Sequence, residues 1–96
     1  MGDKYCVSAA GNRSGYSVKV TWTYREARNT VVPNQSVKTS EWGANILCAR
    51  RSGVITYLKL KNVSGRIIPL SSRELQQVTS GLTSNALPRI VNGLCG

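Results

Sequence analysis

The sequence predicts a mainly β fold, a small six-stranded antiparallel β-sandwich with a short helical C-terminal extension. Three observations carry this. From Tyr16 to Arg25 the side chains alternate without a break: Tyr16, Val18, Val20, Trp22 and Tyr24 on one face, Ser17, Lys19, Thr21, Thr23 and Arg25 on the other. That is the period of a strand with one dry and one wet side. Clusters of Gly, Asn, Ser and Pro divide residues 1–70 into short segments, as antiparallel turns require. After Ser71 the apolar spacing becomes helical.

The elements follow in order. A first strand fits Tyr5 to Ala9, and Gly11-Asn12-Arg13-Ser14-Gly15 supplies a turn into the long strand Tyr16 to Arg25, whose Trp22 and Tyr24 read as core. Asn29 to Val32 fits a third strand, followed by turn chemistry at Pro33-Asn34-Gln35. Val37 to Trp42 reads as a fourth strand, extended by Asn45 to Ala49 beyond a bulge at Gly43. Arg50-Arg51-Ser52-Gly53 is a hairpin turn into Val54 to Lys61, where Leu58 and Leu60 oppose Lys59 and Lys61. Asn62-Val63-Ser64-Gly65 turns the chain again, and Arg66 to Leu70 is the last strand, confined by Pro69 to an edge or an end. Ser71-Ser72-Arg73-Glu74 is a capping box, with Leu75, Val78 and Leu82 at helical spacing behind it. Leu87, Ile90, Val91 and Leu94 predict a second helix, with Pro88 tolerated in its first turn and Gly93 as its stop. Residues 1–70 thus form the sandwich core and 71–96 a helical extension packed on it or trailing it.

Composition narrows the function classes. Thirteen Lys and Arg oppose four Asp and Glu, giving a formal charge of +9, which favours acidic partners. There is no His, so the commonest general base and every zinc site needing imidazole are excluded. The carboxylates Asp3, Glu26, Glu41 and Glu74 are scattered, no glycine-rich phosphate cradle is present, and a cysteine nucleophile would lack its imidazole. The expectation is a non-enzymatic protein with no cofactor and no metal. No apolar run approaches a membrane span, and the first residues lack the apolar stretch of a signal peptide.

The basic residues are dispersed rather than clustered. If the strands Tyr16 to Arg25 and Val54 to Lys61 expose the same side, Lys19, Arg25, Lys59 and Lys61 build a positive face able to neutralise phosphates. Trp22 and Tyr24 point away from it, so aromatic interleaving is poor. Asn12-Arg13-Ser14, Asn34-Gln35-Ser36 and Asn62-Val63-Ser64 match the glycosylation pattern, although Asn and Ser also belong in turns. Cys6, Cys48 and Cys95 are too far apart in sequence for a metal knuckle, and one disulfide with one free thiol allows three pairings.

A first strand opening Lys4-Tyr5-Cys6-Val7, a long second strand Val18 to Tyr24, Cys48 and then two further strands resemble the MAX effectors, small secreted sandwich proteins of blast fungi and related plant pathogens. The resemblance spans about residues 4–70. It implies a virulence protein that is secreted, reaches the host cell cytoplasm and binds host plant proteins, some family members pairing an edge strand with heavy-metal-associated domains and some being detected by plant immune receptors. It also implies a Cys6 to Cys48 disulfide. The second strand lies at a sheet edge in that family, so Tyr16, Val18, Lys19, Thr21, Thr23 and Arg25 become the expected partner-binding residues. Cys95 and the helical region after Ser71 depart from the family pattern. The reading from a different class is a basic nucleic-acid-associated or capsid-type structural protein, with strands and a C-terminal helix suited to self-assembly. Nucleic acid ranks behind a host protein as the expected partner, and no membrane is expected.

Overall fold

A computed structural model describes residues 3–12, 14–28 and 35–96. Among them the alternating segments form four strands rather than six: β1 (Lys4–Asn12), β2 (Gly15–Arg28), β3 (Val37–Leu47) and β4 (Ser52–Lys61). They make one antiparallel meander in the order β1-β2-β3-β4, not a two-layer sandwich. The helices α1 (Ser72–Ser84) and α2 (Ala86–Cys95) follow. The strand expected at Asn29 to Val32 lies outside the described residues. Arg66 to Leu70 makes only an isolated bridge, Ile67 with Lys61: the turn at Asn62 brings it back beside β4, but only Ile68 drops into the core.

Local chemistry accounts for the connections. Gly11, at a φ of 120°, occupies backbone space closed to a side chain and bends β1 into β2. The Asn62 side-chain oxygen accepts from the Ser64 and Arg66 amides, closing the turn after β4. The Asn12 side chain takes the Ser14 amide in the same manner. Both asparagines of these glycosylation patterns therefore have a turn-forming role. The break expected at Gly43 is present, but the extra residue belongs to β4: Gly43 opposes Tyr57 and Ala44 opposes Ile55, leaving Thr56 unmatched. The capping box forms as read, with Ser71 Oγ accepting from the Glu74 amide and Glu74 Oε1 from the Ser71 amide.

The core lies between one face of the sheet and α2. Val18, Val20, Trp42, Ala44 and Ile46 pack against Leu87, Ile90, Val91 and Cys95. Four of the ten α2 residues are buried and none of α1, so α2 completes the core and α1 rides beside it. A second cluster, Val37, Leu60 and Ile68, closes the opposite end. The helix-side face is not fully covered: Trp22 is 38% exposed, and Tyr5 and Val7 are also exposed. The expectation of Trp22 as core is corrected, because α2 packs on Val18 and Val20 but leaves a groove between Trp22 and its own Ala86, Arg89 and Ile90, and Tyr24 is half-buried.

The disulfide joins Cys48 to Cys95 and leaves Cys6 free and exposed. The expected Cys6 to Cys48 bridge is therefore corrected, and the reason is distance. Cys6 sits in register with Thr21 and Glu41, and Cys48, just past the end of β3, is displaced from that register by seven residues, about 23 Å along the strand direction, far beyond the roughly 7 Å that a bridge spans. Cys48 instead meets the end of α2 and ties the helical pair to the sheet.

Candidate nucleic-acid interface

The register places four rows of side chains on the sheet face away from the helices. Lys4, Thr23, Thr39 and Lys61 form the first; Cys6, Thr21, Glu41 and Lys59 the second; Ser8, Lys19, Gly43 and Tyr57 the third. Ala10, Ser17, Asn45 and Val54 follow, and the end pairs Asn12 with Gly15 and Leu47 with Ser52 close the face. Among the described residues no helix crosses this face. It carries four lysines, one carboxylate and a series of hydroxyl and amide groups.

Three of the four expected basic residues therefore share a side. Lys19, Lys59 and Lys61 are brought together by the pairing of β2 and β4 with β3, and Lys4 joins them from β1. Arg25 does not follow from this register. The pairing of β2 with β3 is regular only to Thr23, and beyond it the Arg25 amide donates to Asp3 Oδ1 while its carbonyl accepts from Lys38 Nζ.

Glu41 is held in the middle of the face. Its Oε2 accepts from the Tyr57 hydroxyl at 2.8 Å, and its Oε1 lies 4.0 Å from Lys19 Nζ. An exposed pair at that distance is worth little. Burial against the sheet, then the hydrogen bond to Glu41, raises the Tyr57 hydroxyl above its ordinary value of 10.0, so Tyr57 stays a neutral donor. Its ring lies over Gly43, and Lys59 Nζ stands 5.7 Å from the ring centroid, a cation-π arrangement.

Tyr57 is the residue the sequence reading passed over. The signal was present, since Tyr57 has the parity of Lys59 and Lys61 in Val54 to Lys61, and so belongs with the wet side. The expected partner-binding set on β2 divides differently. Lys19, Thr21 and Thr23 face the open side, whereas Val18 is buried and Tyr16 half-buried on the helix side. Since β2 is paired to β1 and β3, it is not an edge, and its backbone cannot add a partner strand.

Asp3 anchors the start of β1 across β2. It accepts from Trp22 Nε1 at 3.1 Å, from the Arg25 amide at 2.9 Å and from Arg28 Nη2 at 2.9 Å. The Arg25 amide and the Trp22 indole hold its carboxyl below the ordinary 3.8, with the Arg28 and Lys38 charges adding to them. Glu74 is committed to its helix cap, so most of the scarce negative charge is internally engaged and the lysines of the open face dominate their surroundings.

Among the described residues no group of His, Cys, Asp or Glu is arranged to hold a metal ion, and no helix is long and apolar enough to cross a membrane. No protein-family model, curated protein or solved structure matches this chain.

Proposed function

We propose that this chain is a basic nucleic-acid-associated structural protein of the coat type, which holds a single-stranded nucleic acid against the open face of its sheet. One observation supports this above others: the strand register gathers Lys4, Lys19, Lys59 and Lys61 on one side of the sheet while both helices occupy the other. Lysines supply the phosphate contacts, which are strong, long-ranged and indifferent to sequence. The threonine, serine and asparagine side chains between them supply hydrogen bonds to phosphate and sugar. Tyr57, flat on the sheet beside Lys59, offers one stacking surface for an unpaired base. A broad sheet face lacks the protruding helix or ribbon that enters a duplex groove and suits an extended single strand. Titration of a labelled single-stranded oligonucleotide against salt tests the reading. Affinity falls steeply with salt and depends on the open-face lysines; equal losses from Arg73→Gln and Arg89→Gln, both on the helices, would refute a dedicated face.

The second reading is a secreted effector that binds a host protein, such as a heavy-metal-associated domain, and is met by an immune receptor. The Cys48–Cys95 disulfide favours it, because such bonds persist in oxidising compartments. On this architecture a partner strand would add at β1 or β4, the two edges, rather than at β2.

A further inference from the structure

We propose that two copies of this chain pair through the free edge of β4 and the exposed Leu75 of α1, making one continuous eight-stranded sheet. This deepens the coat-type reading, since it joins two open faces into one basic surface, but it stands on different residues.

The edge has a defined length. At its end β4 is capped by its own chain, with the Ile68 amide donating to the Leu60 carbonyl and the Asn62 amide to the Arg66 carbonyl. The free stretch therefore runs from Ser52 to Lys59. Antiparallel pairing of that stretch with itself puts the two-fold axis between Ile55 and Thr56. Ser52 then lies opposite the partner's Lys59, Gly53 opposite the partner's Leu58 and Val54 opposite the partner's Tyr57. Each pair joins residues of the same face, as a shared sheet demands. Within the free stretch the charge pattern fits as well, since Lys59 meets the partner's Ser52 rather than a lysine.

Natural edges are guarded by charge and by bulges. Lys59 and the bulge at Thr56 are such devices, but Val54, 69% exposed at the centre of the free stretch, is the reverse. Beside it, Val78 and Leu82 of α1 pack half-buried against the chain's own core, whereas Leu75 stays outside it. Leu75 is 41% exposed and lines a groove of about 660 Å³ between α1 and β4 with Val54, Ile55 and Leu58. The groove adjoins the two-fold axis, where the partner's Leu75 reaches it. A two-fold interface of this kind uses the same patch twice, and Leu75 with the groove beside Val54 adds apolar area that an edge strand alone lacks.

Light scattering after size exclusion, in salt high enough to strip nucleic acid, tests this apart from the nucleic-acid reading. The wild-type chain is expected at twice its chain mass. Val54→Lys sets a charge at the centre of the pairing and should shift the protein to single-chain mass with unchanged far-UV circular dichroism. Leu75→Lys should do the same from the helix side, and decides the matter if V54K does not fold. Val63→Lys, equally exposed but outside the edge, should remain paired. A wild-type protein at single-chain mass, or a dimer that survives both V54K and L75K, overturns the proposal; a dimer lost instead with Val7→Lys moves the interface to β1 and overturns it too. Oligonucleotide binding retained by a single-chain L75K, whose substitution lies off the open face, shows the loss of pairing to be separate from the nucleic-acid reading.

Discussion

The Tyr57 ring occupies the space that a β-carbon at Gly43 would need, directly across the β3-β4 ladder. Gly43 is thus required not for an unusual φ but for the approach of an aromatic side chain, and the ring it admits forms the centre of the open face. Gly43→Ala should lift the ring and destabilise the fold by about 1 to 3 kcal/mol, the range for overpacking. Tyr57→Phe, which keeps the ring and removes only the donor to Glu41, should cost about 1 kcal/mol. Urea unfolding of the two variants checks the order, and a G43A protein as stable as wild type would contradict the contact.

Removing Lys59 and Lys61 together should weaken binding to a single-stranded oligonucleotide and flatten the plot of log affinity against log salt by about 1.4, at roughly 0.7 per lost phosphate contact. Arg73→Gln should leave the slope unchanged. Fluorescence anisotropy at several salt concentrations gives both numbers, and a double variant with the wild-type slope would send the phosphate contacts elsewhere.

The Cys48–Cys95 bridge spans 47 positions and locks α2 onto the sheet. Cys95→Ser should lower stability by about 2 to 4 kcal/mol, seen as an earlier denaturation midpoint. Peptide mapping without reductant should recover Cys48 linked to Cys95, with Cys6 alkylated in the native protein. Recovery of a Cys6–Cys48 peptide instead would invalidate the arrangement of β3 and α2.

Asp3 sets an acid dependence. Its carboxyl is held below the ordinary 3.8 in the folded state, so the folded protein favours the ionised form. Its contribution is fully present above the unfolded value and is lost as pH falls through the folded one. Thermal melts should show the wild-type protein above Asp3→Asn near neutrality, with the gap closing as pH drops below about 3.8. A gap of constant size across that range would mean the hydrogen bonds do not require the charge.

Much of the site was legible because a strand writes its faces into a two-residue period. Lys19 opposite Val18 and Val20, and Lys59 and Lys61 opposite Leu58 and Leu60, assign the wet side from neighbours alone. Ser71 with Glu74 likewise specifies a helix start within four residues, and Leu87, Ile90 and Val91 identify the buried side of α2. Tyr57 has the parity of Lys59 and Lys61, but the bulge at Thr56 breaks the alternation of β4 just before it, so its place on the open face emerges only with the pairing.

The residues alone therefore fix local features: which side of each strand is wet, where the helices begin, and that the surface is strongly basic. Long-range packing is what makes β2 central and β4 an edge, puts α2 behind one sheet in place of a sandwich, and brings Cys48 to Cys95 rather than to Cys6. These outcomes depend on which distant segments meet. The chain entropy of closing a loop rises so slowly with its length that spacing barely distinguishes one partner from another, and the choice falls to the burial of Val18, Val20 and Ile46 beneath Leu87, Ile90 and Val91.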